Sequence, residues 1–114
     1  LLEIISIEPK CPAVLNLGQR LNMKVRYHLG TAEEVQIWAR PYTLGHKTSG
    51  YGAHGSPRYR KEIRESAIID CWFLFESPAE VDEIHVRMHD GKIGNEIIVL
   101  CCKIDAKWIT QKSE

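Results

Sequence analysis

From Leu21 to His28 the chain alternates: Leu21, Met23, Val25 and Tyr27 fall on one side, and Asn22, Lys24, Arg26 and His28 on the other. A period of two is the spacing of an extended strand with one buried and one wet face. Gly18 and Gly30 bracket this strand. The same period recurs. Leu2, Ile4 and Ile7 mark a first strand closed by Pro9 and Pro12, and Val35, Ile37 and Ala39 alternate with Glu34, Gln36, Trp38 and Arg40. Pro41 lacks a ladder donor, so it predicts the end of that strand. Ile84, Val86 and Met88 alternate with His85, Arg87 and His89, and Asp90-Gly91 then gives a strong turn signal.

Two runs differ. AIIDCWFLF at 67–75, and the stretch from Glu96 to about Ile104 with Trp108 following it, are apolar on both faces. Such runs predict central strands, or outer faces covered by a loop, a neighbouring domain or a second copy. Residues 58–66, RYRKEIRES, admit one short helix, because Ile63, Ala67 and Ile68 fall near one helical face. Nowhere does a long amphipathic helix separate successive strands, so a βαβ architecture is excluded. Six to seven strands at this spacing predict an all-β, two-sheet antiparallel sandwich of the immunoglobulin or fibronectin III type. The antibody Cys, Trp, Cys spacing is not met.

The 114 residues form one domain, 1–114, able to bury roughly two thirds of the surface of its unfolded chain. Because the sequence opens LLEII without a methionine, a module cut from a larger protein is expected. Fifteen basic and fifteen acidic side chains cancel, so no global field draws the domain to nucleic acid or an anionic membrane. The longest apolar run, IIVLCC at 97–102, is far short of the roughly 20 residues of a membrane span. Cys11, Cys71, Cys101 and Cys102 form no C-x-x-C pair, which leaves small buried hydrophobes or a bridge from Cys71 to Cys101 or Cys102. Cys101 and Cys102 point to opposite faces, so at most one of them faces the core.

GYGAHG at 50–55 fits G-x-G-x-x-G, the pattern of phosphate-cradling loops. The chemistry needs a strand before it and a helix N-terminus after it. Here Pro41 lies nine residues upstream of Gly50, and Ser56-Pro57 and a charged segment follow, so no phosphate or cofactor is expected. Residues 42–57, with Gly45, Gly50, Gly52 and Gly55, read instead as a long loop whose glycines supply positive φ and whose Tyr51, with Tyr59, packs back on the sandwich edge. GQRLNMKVRY, VQIWARPY, YGAHGSPRY and VDEIHVRMHD together resemble a poorly characterised immunoglobulin-like β-sandwich module of bacterial, often cell-surface, proteins. The resemblance runs from about Pro12 to Met88 and implies a fold and a modular setting, without a ligand or catalytic residue. The four cysteines depart from that pattern.

The candidate binding residues are Trp38, Arg40, Tyr42, Tyr51, His54, His85, Arg87 and His89. If the third strand pairs with that of His85 to His89, then Trp38, Arg40, His85, Arg87 and His89 share one outer patch. A flat aromatic beside hydrogen-bonding groups suits a protein partner, a neighbouring domain or a second copy, and alternatively a sugar ring on Trp38, Tyr42 and Tyr51. His85, Arg87 and His89 stand roughly 7 Å apart in succession. A metal there would need a third ligand from His28, His46 or His54, so no metal site is expected. Asp82, Glu83 and Asp90 read as solubilising groups. Arg58, Arg60, Lys61 and Arg64 read as a solvated basic face balanced by ESPAEVDE at 76–83. Ser49, Ser56 and Ser66 lie in no nucleophile-elbow context, and no catalytic residue is nominated.

Overall fold

The structure, a computed structural model, describes residues 1–55, 57–92 and 95–110; Ser56 lies outside them. It contains β1 (Leu2–Glu8), β2 (Ala13–Asn16), β3 (Leu21–His28), β4 (Glu34–Thr43), β5 (His46–Lys47), β6 (Tyr51–Ala53), β7 (Arg58–Arg60), β8 (Ser66–Phe75), β9 (Ala79–Asp90) and β10 (Glu96–Ile109). A four-stranded sheet runs β1-β3-β8-β6, and a six-stranded sheet runs β2-β10-β9-β4-β5 with β7 also on β4. The two sheets face each other across one apolar core, the two-layer sandwich that the alternation predicts. Every strand pair is antiparallel except β2 and β10, which run parallel.

Alternation decides what each strand buries. Leu21, Met23, Val25 and Tyr27 of β3, Val35, Ile37 and Ala39 of β4, and Val81, Ile84, Val86 and Met88 of β9 all point inward. The largest buried group is an aromatic cluster. Trp108 meets Phe75 at 4.8 Å and Phe73 at 6.0 Å between ring centroids, and its indole N–H donates to the Gln19 carbonyl at 2.8 Å. Trp108 therefore lies within β10 rather than beyond it, since the strand runs to Ile109, five residues past the predicted end near Ile104. Short β2, which gives little periodicity of its own, pairs with that extension and buries Leu15.

Other local expectations need correction. Pro41 does not end its strand: it is buried inside β4, opposite Ile84 of β9. Its carbonyl accepts from the Thr48 N–H at 3.0 Å, on the side away from β9. Backbone N–H and C=O of one strand residue point the same way, so the missing donor falls on that outer side and β9 loses nothing. Residues 42–57 are not one loop, since they finish β4 and then form β5 on the six-stranded sheet and β6 on the four-stranded one. Gly50 has φ +84°, as a turn requires, whereas Gly52 sits inside β6 with Leu74 3.3 Å from where a Cβ would stand. The glycine pattern thus opens a strand, and among the described residues no helix receives it.

Residues 58–66 form β7 and a single turn rather than a helix. Tyr59 packs on Tyr27 with centroids 5.2 Å apart, and Arg58 and Arg60 reach Glu34 at 3.2 Å each. Glu34, placed by alternation on the polar face of β4, is buried at 6% exposure and is the counterweight to this basic pair in place of the 76–83 segment. The cysteines are all free, so the Cys71 bridge is not formed: Cys71 is buried in the four-stranded sheet, and Cys101 and Cys102 lie on β10 of the other. Only Cys71 is a core hydrophobe.

Candidate functional site

β4, β9 and β10 lie side by side, and their outward residues build one face of the six-stranded sheet. The register puts Trp38 opposite Arg87, Arg40 opposite His85, and His85 opposite Cys101. Trp38 tilts against His89 with ring centroids 4.5 Å apart, while Tyr42 lies flat on His85 at 3.6 Å and 14°. Between these pairs, Arg87 donates to Glu96 at 2.5 Å and to the Tyr42 hydroxyl at 3.4 Å. Burial opposes the charge on Arg87, but the Tyr42 and Glu96 bonds more than offset it, and its pKa lies above the ordinary arginine value. His89 adds a 3.4 Å contact to the same Glu96 carboxylate. Trp38, Tyr42, His85, Arg87 and His89 are half-buried, and their mutual contacts hold them in place.

The structure therefore brings together Trp38, Tyr42, His85, Arg87 and His89. Arg40 belongs to the same strand, but its guanidinium reaches 5.6 Å from the Tyr51 ring on β6, where Lys47 stands 5.9 Å away. Tyr51 and His54 do not join the face; they belong to the edge of the other sheet. His54 Nδ1 lies 3.2 Å from both the N–H and the carbonyl of Trp72, and burial depresses its pKa below 6.5. Trp72 itself points outward beneath Arg20, whose guanidinium carbon is 3.8 Å from the ring centroid. The chain's own arginine thus covers part of the doubly apolar β8 run, while Ile68 stays 51% exposed.

His28 and His46 lie on β3 and β5 and His54 just after β6, and none of them joins the patch of His85 and His89. A different set does: Glu83 and Cys101 reach His85, with Glu83 Oε1 2.5 Å from His85 Nε2. Glu83 is therefore more than a solubilising group. Its spacing of two residues from His85 puts both on one face, a signal present in the alternation, whereas Cys101 could be placed only by knowing the β9–β10 register. Ser66, for its part, has a base beside it, since His28 Nδ1 is 2.5 Å from its hydroxyl. The two are cross-strand neighbours on an exposed strand end, where bulk water reaches both.

The acidic and basic side chains around Glu34 line a depression of about 680 Å³. Its cations are already engaged: Arg58 and Arg60 with Glu34, Lys92 with Glu33 at 2.9 Å, and Lys61 with the Gly30 carbonyl at 2.7 Å. It works as a clamp that ties β7 to the β9–β10 turn, through the Arg58 bond to the Gly91 carbonyl at 3.1 Å.

No family model matches the sequence, and no curated protein matches it. Among solved structures the fold is similar to that of the periplasmic chaperone SfaE, with a TM-score of 0.52 at 8% sequence identity, over 87% of this chain and 53% of that one. The likeness is one of fold, an immunoglobulin-like β-sandwich. The chain spans about half the length of that chaperone. Among the described residues no helix is long and apolar enough to cross a membrane.

Proposed function

We propose that this domain is a non-catalytic interaction or spacer module that presents the outer face of its six-stranded sheet, with the adjoining 42–57 segment, to a protein partner or a neighbouring domain. The observation that carries the reading is the row of Trp38, Tyr42, His85, Arg87 and His89, held rigid by stacking and by Glu96. Tryptophan, tyrosine and arginine dominate the energetics of protein interfaces because each offers large area with a polar handle at little cost in rotamer entropy. The outer face of the other sheet carries exposed ion pairs, Lys24–Asp70 and Arg26–Glu3, beside Ile68 and a Trp72 whose ring is already covered by Arg20. Likeness of fold to a chaperone agrees with a protein partner. The sugar reading loses ground because Tyr42 has one ring face occupied by His85 and Tyr51 stands on the other sheet.

A photo-crosslinking residue placed in turn at 38, 99 and 24 tests this in the cells that make the protein. Positions 38 and 99 on the outer face of the six-stranded sheet should trap one common species, and position 24 should not. Equal trapping from both sheets, or none from 38 and 99, would refute the assignment of this face.

A further inference from the structure

The geometry points to a divalent-metal site of the zinc class formed by Glu83, His85 and Cys101 on the outer face of the six-stranded sheet. His85 and Cys101 are directly opposed across β9 and β10, and Glu83 stands two residues before His85 on the same side of β9. One nitrogen, one sulfur and one oxygen lie within 4.8 Å of one another. Tetrahedral zinc holds such atoms at about 2.0–2.3 Å, which sets them about 3.3–3.7 Å apart. The Glu83–His85 contact of 2.5 Å must open and the wider separations must close, by side-chain rotation of about 1 Å with the backbone in place.

Two features favour the ion and one works against it. A thiolate and a carboxylate together neutralise a dication, while imidazole and thiolate select a borderline metal over calcium or magnesium. Tyr42, flat against the imidazole, and the low exposure of the His85 side chain, 14%, fix the ring before any ligand arrives. Among the described residues His85 Nδ1 is buried without a hydrogen-bond partner, so coordination through Nε2 places the ring proton on an unpartnered Nδ1, a cost that the metal bonds must offset. Metal entry at Nε2 breaks the bond to Glu83, shifts the ring proton to Nδ1 and releases the cysteine thiol proton to water. Cys101 is exposed, so the fourth coordination position opens to solvent. The cations at the border do not block it. Arg87 is held by Glu96, and Lys103, opposite Glu83, is exposed and free to point into water.

The site shares His85 with the face proposed to bind a protein, but metal uptake by the isolated domain is read without any partner. Reduced, tag-free protein is titrated with Zn²⁺ against a chromophoric chelator, and with Co²⁺ followed by absorption. One ion per chain and a thiolate-to-cobalt charge-transfer band are expected. Cys101→Ser should lose the band and weaken Zn²⁺ binding about 100-fold or more, His85→Gln should do likewise, and Cys102→Ser, whose side chain points to the other face, should stay within about twofold. Far-ultraviolet circular dichroism checks that each variant is folded. No stoichiometric uptake at micromolar metal, one ion shared by two chains, or Cys101→Ser binding as tightly as the parent would each overturn the site.

Discussion

Trp108 is the side chain whose removal should cost the sandwich most. It is 1% exposed, touches Phe73 and Phe75, and donates to the Gln19 carbonyl. Truncating a buried tryptophan to alanine costs about 3–5 kcal/mol. The two aromatic contacts, about 0.5–1.5 kcal/mol each, and the hydrogen bond, about 1 kcal/mol, put Trp108→Ala in the upper half of that range, near 4–5 kcal/mol. A domain of this length has roughly 6–17 kcal/mol in total, so the variant keeps about 1–13 kcal/mol and remains folded without denaturant. With a urea slope of about 1.5 kcal/mol/M, the midpoint should fall by about 3 M, read by far-ultraviolet circular dichroism. Trp108→Phe separates packing from hydrogen bonding. It keeps a ring against Phe73 and Phe75 and leaves the Gln19 carbonyl of an exposed residue for water to satisfy, so it should cost about 2 kcal/mol and move the midpoint by about 1.3 M. A Trp108→Ala shift under about 1 M at unchanged slope, or a Trp108→Phe shift as large as that of alanine, would refute the reasoning.

Gly91→Ala should destabilise by about 1–3 kcal/mol, because a Cβ there would stand 2.8 Å from Glu34 Cγ and Oε2, and Arg58 and Arg60 hold that carboxylate in place. Adding Glu34→Ala frees the space, so a double-mutant cycle should show the two costs adding to less than their sum. His54, depressed by burial, is neutral in the fold. Its contribution is complete above the unfolded pKa of about 6.5 and is lost as pH falls from there through the folded value, so urea midpoints at about pH 7.5 and 5.0 should differ less in His54→Gln than in the parent. An identical pH difference in both proteins would contradict that. The Cys71 thiol is pushed up to about 12 by burial, so alkylation at about pH 8 should modify exposed Cys101 quickly and Cys71 only on unfolding, as peptide mass mapping against urea would show. Equal rates at the two positions would disprove the burial argument.

The alternation of Leu21 to Tyr27, Val35 to Ala39 and Ile84 to Met88 was enough to establish an all-β sandwich, because a period of two commits each strand to one buried face whatever its partner is. It also put Trp38, Arg87 and His89 on one side, and the β4–β9 register makes them neighbours. What no local pattern contains is who lies beside whom. Pro41 could stay in its strand only because its missing donor faces away from β9; Glu34 could be buried only because β7 brings two arginines to it. The parallel pairing of β2 with the end of β10, which draws Trp108 into the core, joins residues about ninety positions apart. Cys101 meets His85 and Glu83 for the same reason: cross-strand register is a long-range property, set by the whole core closing at once, and a single strand's sequence carries only half of each pair.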